Sequence, residues 1–163
     1  MASCLALAGF IGALMLSNPA IAAQSKPLGP AAQALLSEAF ADLEGQELVD
    51  YHVHMLGLGT GASGTQVNPR LLSWAHPIDR IKAKIFFKAS GIDDEAKADT
   101  QYVERLLALS QNFPHPNKLA ILAFDWRRDK AGTIETSKTE IHTPSDYVMD
   151  LARRYPQNFI PAV

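Results

Sequence analysis

Short apolar stretches along the chain predict three strands. Residues 48–54, LVDYHVH, combine leucine, valine and tyrosine, which favour extended structure. Residues 118–126, KLAILAFDW, are an almost continuous apolar run of strand length, which is typical of a strand buried on both faces in a parallel sheet. Residues 159–163 begin a further apolar strand. The glycine-rich run over residues 57–64 predicts a loop, because repeated glycine disfavours both helix and strand.

The segments around these strands carry the 3.6-residue period of helices. A surface helix precedes the first strand, and two helices separate the first and second strands, the earlier stopping at Gly91. The later one begins at Asp93 or Asp94, either of which could cap it. Thr143 is expected to cap a last helix with Pro144 at its first position. The helix that stops at Gly91 is predicted to bury Ile78, Ile81, Ile85 and Phe86. The helix after it is predicted to bury Tyr102, Leu106 and Leu109, and the last helix Val148, Leu151 and Ala152.

The order strand, helices, strand, helix, strand predicts an α/β fold with a parallel sheet and right-handed crossovers. The composition, 163 residues of which 47% are hydrophobic and 20% charged, is sufficient for one modest core. The net charge is −2, and no run of lysine and arginine is long enough to attract nucleic acid. We therefore expect no nucleic-acid partner.

The first 22 residues, MASCLALAGFIGALMLSNPAIA, differ from the rest because they carry no charged side chain and end on small residues. They predict a signal peptide over 1–22, with a linker and helix over 23–47 and a periplasmic or secreted location. The alternative is a buried or interfacial N-terminal helix. The apolar stretch is shorter than the roughly 20 residues of a membrane span, so we expect no integral span after cleavage. Cys4 is the only cysteine, which excludes an internal disulfide and favours a bacterial periplasm.

Two histidines, His52 and His54, give the first predicted strand its candidate chemistry. Residues two apart on a strand lie on the same side, about 6.6 Å apart, so both rings can approach one ion. Imidazole nitrogens bind zinc at about 2.0–2.1 Å. Asp50 is expected on the same face, where it could orient a ring or approach the metal. The alternative is a hydrogen-bonded histidine pair that faces a polar pocket.

Other polar residues give weaker indications. Asp125 closes the second predicted strand at the end where ligands bind in parallel α/β folds, so it is a candidate pocket residue together with Trp126. Arg127 and Arg128 either steer an anionic substrate or form a solvated loop face. No catalytic residue is identified from the pattern. His76 and His115 each precede a proline and are expected to be solvated loop residues, and His142 lies just before the predicted helix cap.

Val49 to His54 resembles the first strand of the amidohydrolase superfamily, and more narrowly its amidohydrolase-related branch, which also contains decarboxylases. KLAILAFDW and the later segment TPSDYVMDLARRYPQNFIPAV are similar to that branch's second strand, second helix and third strand. The resemblance implies a (β/α)8 TIM barrel in which His52 and His54 hold a divalent metal, usually zinc. It also implies hydrolysis of an amide, ester or related bond of a small-molecule substrate by metal-activated water.

A barrel of this kind takes about 250 residues, so residues 48–163 are expected to form a truncated N-terminal part with the first three parallel strands and their connecting helices. The metal ligands that the family takes from later strands would then be missing, and the chain by itself is expected to be inactive. The alternatives are a decarboxylase of the same superfamily and a non-catalytic α/β fragment. The insertion over residues 55–117 is expected to act as a lid, a homo-oligomer contact or both.

Overall fold

The computed structural model describes residues 28–43 and 45–163. The predicted signal peptide over 1–22, with Cys4, lies outside the described residues. The secondary structure runs in the order α1 Pro30–Ala39, β1 Leu48–His54, β2 Gln66–Val67, α2 Pro69–Leu72, α3 Pro77–Ala89, α4 Ala98–Gln111, β3 Asn117–Leu122, β4 Ile141–His142, α5 Ser145–Arg154 and β5 Phe159–Ala162. Short 3-10 turns lie at Ala41–Leu43, Glu95–Lys97 and Thr136–Lys138.

Three parallel strands form the central sheet in the order β1-β3-β5, which is their order along the chain. The α/β class and the three parallel strands predicted from the sequence are confirmed. Such a sheet is common to the first strands of doubly wound folds and of (β/α)8 barrels. The small strands β2 and β4, which pair antiparallel, were not predicted. Among the described residues, no helix has both the length and the apolarity to cross a membrane.

The main core lies between the sheet and the two crossover helices, α4 and α5. Ile121 of β3 is fully buried there beside Val103 and Leu106 of α4. The predicted buried face of α5 is confirmed, since Val148, Leu151 and Ala152 are its buried residues. Both crossover helices therefore cover one face of the sheet. This packing is favourable because each Å² of apolar surface removed from water contributes about 25 cal/mol to stability.

Strand β3 is shorter than predicted. It ends at Leu122, and Phe124 makes an isolated antiparallel bridge with Thr143 instead of continuing the strand. Ala120 and Ile121 are buried, and as consecutive strand residues they lie on opposite faces. The prediction of burial on both faces is therefore confirmed only at the centre of the strand, and its other four residues are partly exposed.

The predicted apolar face of α3 is wrong. Ile78, Ile81, Ile85 and Phe86 are each more than half exposed, whereas Phe87 is 3% exposed and buried. The chain reverses at Gly91, whose φ of 81° few other residues adopt, and the Ile92 N–H donates to the Phe87 carbonyl over 2.8 Å. Because of this reversal, Ile92 packs on the side of the helix that carries Phe87, and the side that carries the isoleucines is exposed to solvent.

Thr143 has a different role from the predicted helix cap. Pro144 is the residue that precedes α5, and no side chain caps that helix. The Thr143 hydroxyl, fully buried, donates instead to the Met55 carbonyl over 2.7 Å. Of the two predicted caps, Asp94 caps the 3-10 turn Glu95–Lys97 that leads into α4, where its carboxylate accepts the Ala96 N–H, and no side chain caps α4 itself.

Candidate metal centre at the end of the first strand

The rings of His52 and His54 converge at the carboxyl end of β1. Their Nε2 atoms are 2.9 Å apart, and the ring planes are nearly perpendicular, with centroids separated by 4.6 Å. Without a metal ion, this contact is a hydrogen bond in which one ring donates its N–H to the lone pair of the other. Both residues are exposed, so the pair is accessible to a ligand.

The same distance is compatible with two ligands of one ion. Two bonds of about 2.0–2.1 Å that meet near a right angle place their nitrogens about 2.9 Å apart. The donor set therefore fits a divalent cation in part, because imidazole is a ligand of zinc, copper, iron and nickel. Within the described residues, no group of three or more histidine, cysteine, aspartate or glutamate side chains is placed to hold a metal.

A bulge in β1 changes the position of Asp50. Asp50 pairs with Leu119 and Val53 pairs with Ile121, so three steps along β1 match two steps along β3. The alternation that would place Asp50 beside both histidines is therefore interrupted. The Asp50 carboxylate accepts the backbone N–H of His52 over 3.0 Å, so it orients the strand backbone at this point.

Two aromatic residues fix His54. Its ring stacks on Phe124 with centroids 4.3 Å apart, and the Tyr102 hydroxyl donates to the His54 carbonyl over 2.8 Å. Partial burial, and secondarily the neighbouring charge of His52, hold the pKa of His54 below its usual value. A lowered pKa favours the neutral imidazole, which is the form that binds a metal.

Asp125, the predicted pocket residue, lines an open cavity of about 480 Å³ at the carboxyl ends of β3 and β5. Its carboxylate accepts the Trp126 N–H over 2.7 Å. This backbone bond, followed by the charge of Arg128, holds the Asp125 pKa below its usual range. The Trp126 ring stacks on His142, whose ring also lines the cavity, with centroids 4.0 Å apart.

The other polar candidates lie apart from the histidine pair. His76 is exposed immediately before α3, and the His115 ring contacts Phe40. Arg127 forms an ion pair with Glu135, and Arg128 donates to the Gly132 carbonyl.

Sequence reasoning missed Asp99, a buried carboxylate in the first turn of α4. It accepts hydrogen bonds from the Leu58 N–H over 2.6 Å and from the hydroxyls of Ser63 and Thr65. A methyl group at Gly57 would lie 2.7 Å from the Asp99 carboxylate, so only glycine allows this close approach. The glycine-rich run was a signal for a tight loop, but nothing in the pattern connected that loop to Asp99.

Comparison of the chain with protein-family models, with curated proteins and with solved structures found no match. The functional argument therefore rests on the geometry of the described residues.

Proposed function

We propose that this chain carries two metal ligands, His52 and His54, of a metal-dependent hydrolase of the amidohydrolase type that acts on a small molecule. The observation that carries the proposal is the 2.9 Å approach of the two Nε2 atoms at the carboxyl end of a parallel strand. Ligands bind at that end of the sheet in parallel α/β folds. Zinc is the proposed ion, with its remaining ligands outside the described residues.

The sheet supports a (β/α)8 barrel as the parent architecture. Strands β1, β3 and β5 are added in chain order, and both crossover helices pack on one face. The register aligns His54 with Leu122, and Leu122 with Ala162. The side chains of these three aligned residues would face the interior of a closed barrel, where side chains from successive strands meet.

Each protein group around the pair has a defined task in the proposed site. His52 and His54 offer neutral ring nitrogens, Phe124 limits the rotation of the His54 ring by stacking, and Tyr102 fixes the strand end by its hydrogen bond to the His54 carbonyl. A bound zinc ion would supply Lewis acidity and would make water a nucleophile near neutral pH.

The test is zinc titration of the full chain by calorimetry. We expect weak zinc binding, because two histidines are fewer than the three protein ligands typical of a catalytic site. The double substitution His52→Ala, His54→Ala should abolish this binding, whereas the matched double substitution His76→Ala, His115→Ala should leave it unchanged. Equal affinity in the wild type and the His52, His54 double variant would overturn the ligand assignment.

The hydrolase assignment has a separate readout. The chain by itself is expected to be inactive on a natural substrate, but its zinc-loaded form should cleave the activated ester 4-nitrophenyl acetate faster than the chelator-treated chain and faster than the double variant. Equal rates in all three preparations would contradict hydrolysis while leaving metal binding intact.

A further inference from the structure

The outer face of α3, formed by Ile78, Ile81, Ile85 and Phe86, is an exposed apolar surface. The three isoleucines are spaced three and four residues apart, so they lie on one side of the helix. The exposed fractions of Ile78 and Ile85 are 69% and 66%. Large apolar side chains that are grouped on a surface in this way indicate contact with a partner.

Three lysines border this outer face. Residues 77–89 hold four basic side chains and one acidic one, although the net charge of the chain is −2. Asp79 and Arg80 each have an ion-pair partner, so their charges are compensated within the chain. Three basic side chains are exposed and form no ion pair with any described residue, namely Lys82, Lys84 and Lys88. The outer face of α3 therefore carries uncompensated positive charge.

Trp74 adds an exposed indole ring beside the same helix. The ring is 66% exposed, and its centroid lies 5.5 Å from the Lys84 Nζ and 6.0 Å from the Arg80 Cζ. Tryptophan is enriched where water meets lipid, because the ring is apolar and its N–H reaches polar headgroups. Lysine suits the same boundary, since its apolar stem can lie on lipid while the ammonium group reaches the headgroups.

The charge of the outer face disfavours a second copy of the chain as its partner. In a two-fold symmetric contact the same surface of each copy meets, so the lysines of both copies would be brought together and would repel. Further barrel strands would add at the free edges of the central sheet, at β1 and β5. The buried side of α3 belongs to a core cluster that contains no residue of that sheet, so strand addition does not itself cover the outer face.

We propose that the outer face of α3 binds an anionic lipid surface. The isoleucines enter the boundary between headgroups and acyl chains, as in other amphipathic helices that lie on membranes. The three lysines contact lipid phosphates, which compensate their charge. This contact goes beyond the proposed function, since it involves neither the histidine pair nor the cavity at Asp125.

The test is co-sedimentation of the full chain with vesicles of equimolar phosphatidylglycerol and phosphatidylcholine, compared with vesicles of phosphatidylcholine alone. The triple variant Lys82→Gln, Lys84→Gln, Lys88→Gln should bind the anionic vesicles about 100-fold more weakly, at about fivefold for each lysine. A high salt concentration should weaken binding of the parent chain. Residues 1–22 carry no charged side chain, so any association through them does not depend on these lysines.

The matched control for charge is the triple variant Lys130→Gln, Lys138→Gln, Arg153→Gln, which removes three charges at other exposed positions and should bind like the parent. The apolar contribution is tested by Ile78→Gln, Ile85→Gln, which should weaken binding about 100-fold, at about tenfold for each isoleucine. Both isoleucines are exposed, so the fold should be retained.

The emission of Trp74 locates the contact. Trp126→Phe leaves Trp74 as the only tryptophan, and its emission should shift to shorter wavelength when anionic vesicles are added. Equal affinity of the parent and the Lys82, Lys84, Lys88 variant for anionic vesicles, or co-sedimentation without a change in Trp74 emission, would overturn the inference.

Two further measurements separate this inference from its alternatives. A parent chain that forms dimers in analytical ultracentrifugation, loses them in Ile78→Gln, Ile85→Gln and does not bind vesicles would assign the face to a second copy and overturn the inference. His52→Ala, His54→Ala should retain vesicle binding, so the lipid contact and the metal site can fail independently.

Discussion

A buried carboxylate needs several donors to offset the loss of hydration, and Asp99 receives three from one loop. Leu58, Ser63 and Thr65 supply them, and the Asp99 N–H in turn donates to the Thr60 hydroxyl over 3.2 Å. The loop that follows the histidine strand is thereby attached to the first turn of α4. Asp99 therefore stabilises the loop next to the candidate metal centre.

Asp99→Asn should lower the free energy of unfolding by about 2–3 kcal/mol, because an amide N–H₂ would face groups that donate hydrogen bonds. Urea denaturation of the full chain measures this change. Asp93→Asn is the matched control, since Asp93 is exposed and should tolerate the substitution with little effect. Equal stability of both variants would show that the Asp99 hydrogen bonds contribute no net stability.

Tyr147 should make the free energy of unfolding depend on pH. Burial, and secondarily the charge of Asp99, raises the pKa of its phenol to about 12. The folded state therefore favours the neutral phenol, and this contribution to stability is complete below the unfolded pKa of about 10 and is lost as the pH rises toward 12. The free energy of unfolding of the wild type, relative to that of Tyr147→Phe, should be constant up to pH 10 and should decrease above pH 10. A difference that is flat from pH 8 to 12 would contradict the raised pKa.

At the scale of single elements, β1 and α3 both depart from a regular amphipathic pattern. The bulge in β1 separates Asp50 from the alternation of His52 and His54. Helix α3 buries Arg80, Ala83 and Phe87 and exposes its isoleucines. The buried Arg80 forms a 2.7 Å ion pair with Glu95 through one guanidinium nitrogen.

Adjacent phenylalanines in α3 provide a test of that orientation. Phe87→Ala should cost about 3–5 kcal/mol of unfolding free energy, as expected for removal of a buried aromatic ring. Phe86→Ala should cost about 1 kcal/mol or less, because Phe86 is 52% exposed. Denaturant midpoints of the two variants measure the difference. The reverse order would show that the isoleucine face, as first predicted from the sequence, is the buried one.

At the scale of the whole molecule, Thr143 joins parts of the chain that are distant in sequence. Its hydroxyl donates to Met55 immediately after β1, and its backbone exchanges two hydrogen bonds with Phe124 after β3. The carboxyl ends of two neighbouring strands are thereby attached to the segment that leads into α5. The candidate metal centre and the cavity depend on this connection for their relative position.

Thr143→Val should lower the free energy of unfolding by about 1–3 kcal/mol, since the buried Met55 carbonyl would lose its donor. Thr143→Ser retains the hydroxyl and should cost about 0.8 kcal/mol, the value of one buried methyl group. Thermal or urea unfolding distinguishes the two variants. If the serine variant is as unstable as the valine variant, packing of the methyl group, and not the hydrogen bond, is the dominant contribution.

The sequence by itself determined the type and order of the main elements and the proximity of the two histidines. These features depend on local periods: alternation with period two brings His52 and His54 together, and the 3.6-residue period of α5 identifies Val148, Leu151 and Ala152 as its buried face. Local patterns are reliable where a single face of an element is strongly apolar and its neighbours are polar.

Only the tertiary structure decided which face of α3 is buried, where β1 bulges, and how Asp99, Asp125 and His142 are placed. Leu58 and Asp99 are 41 residues apart, and Met55 and Thr143 are 88 apart, so their contacts leave no periodic signal in the sequence. Such contacts are set by the competition among all buried and polar groups for partners once the chain is compact.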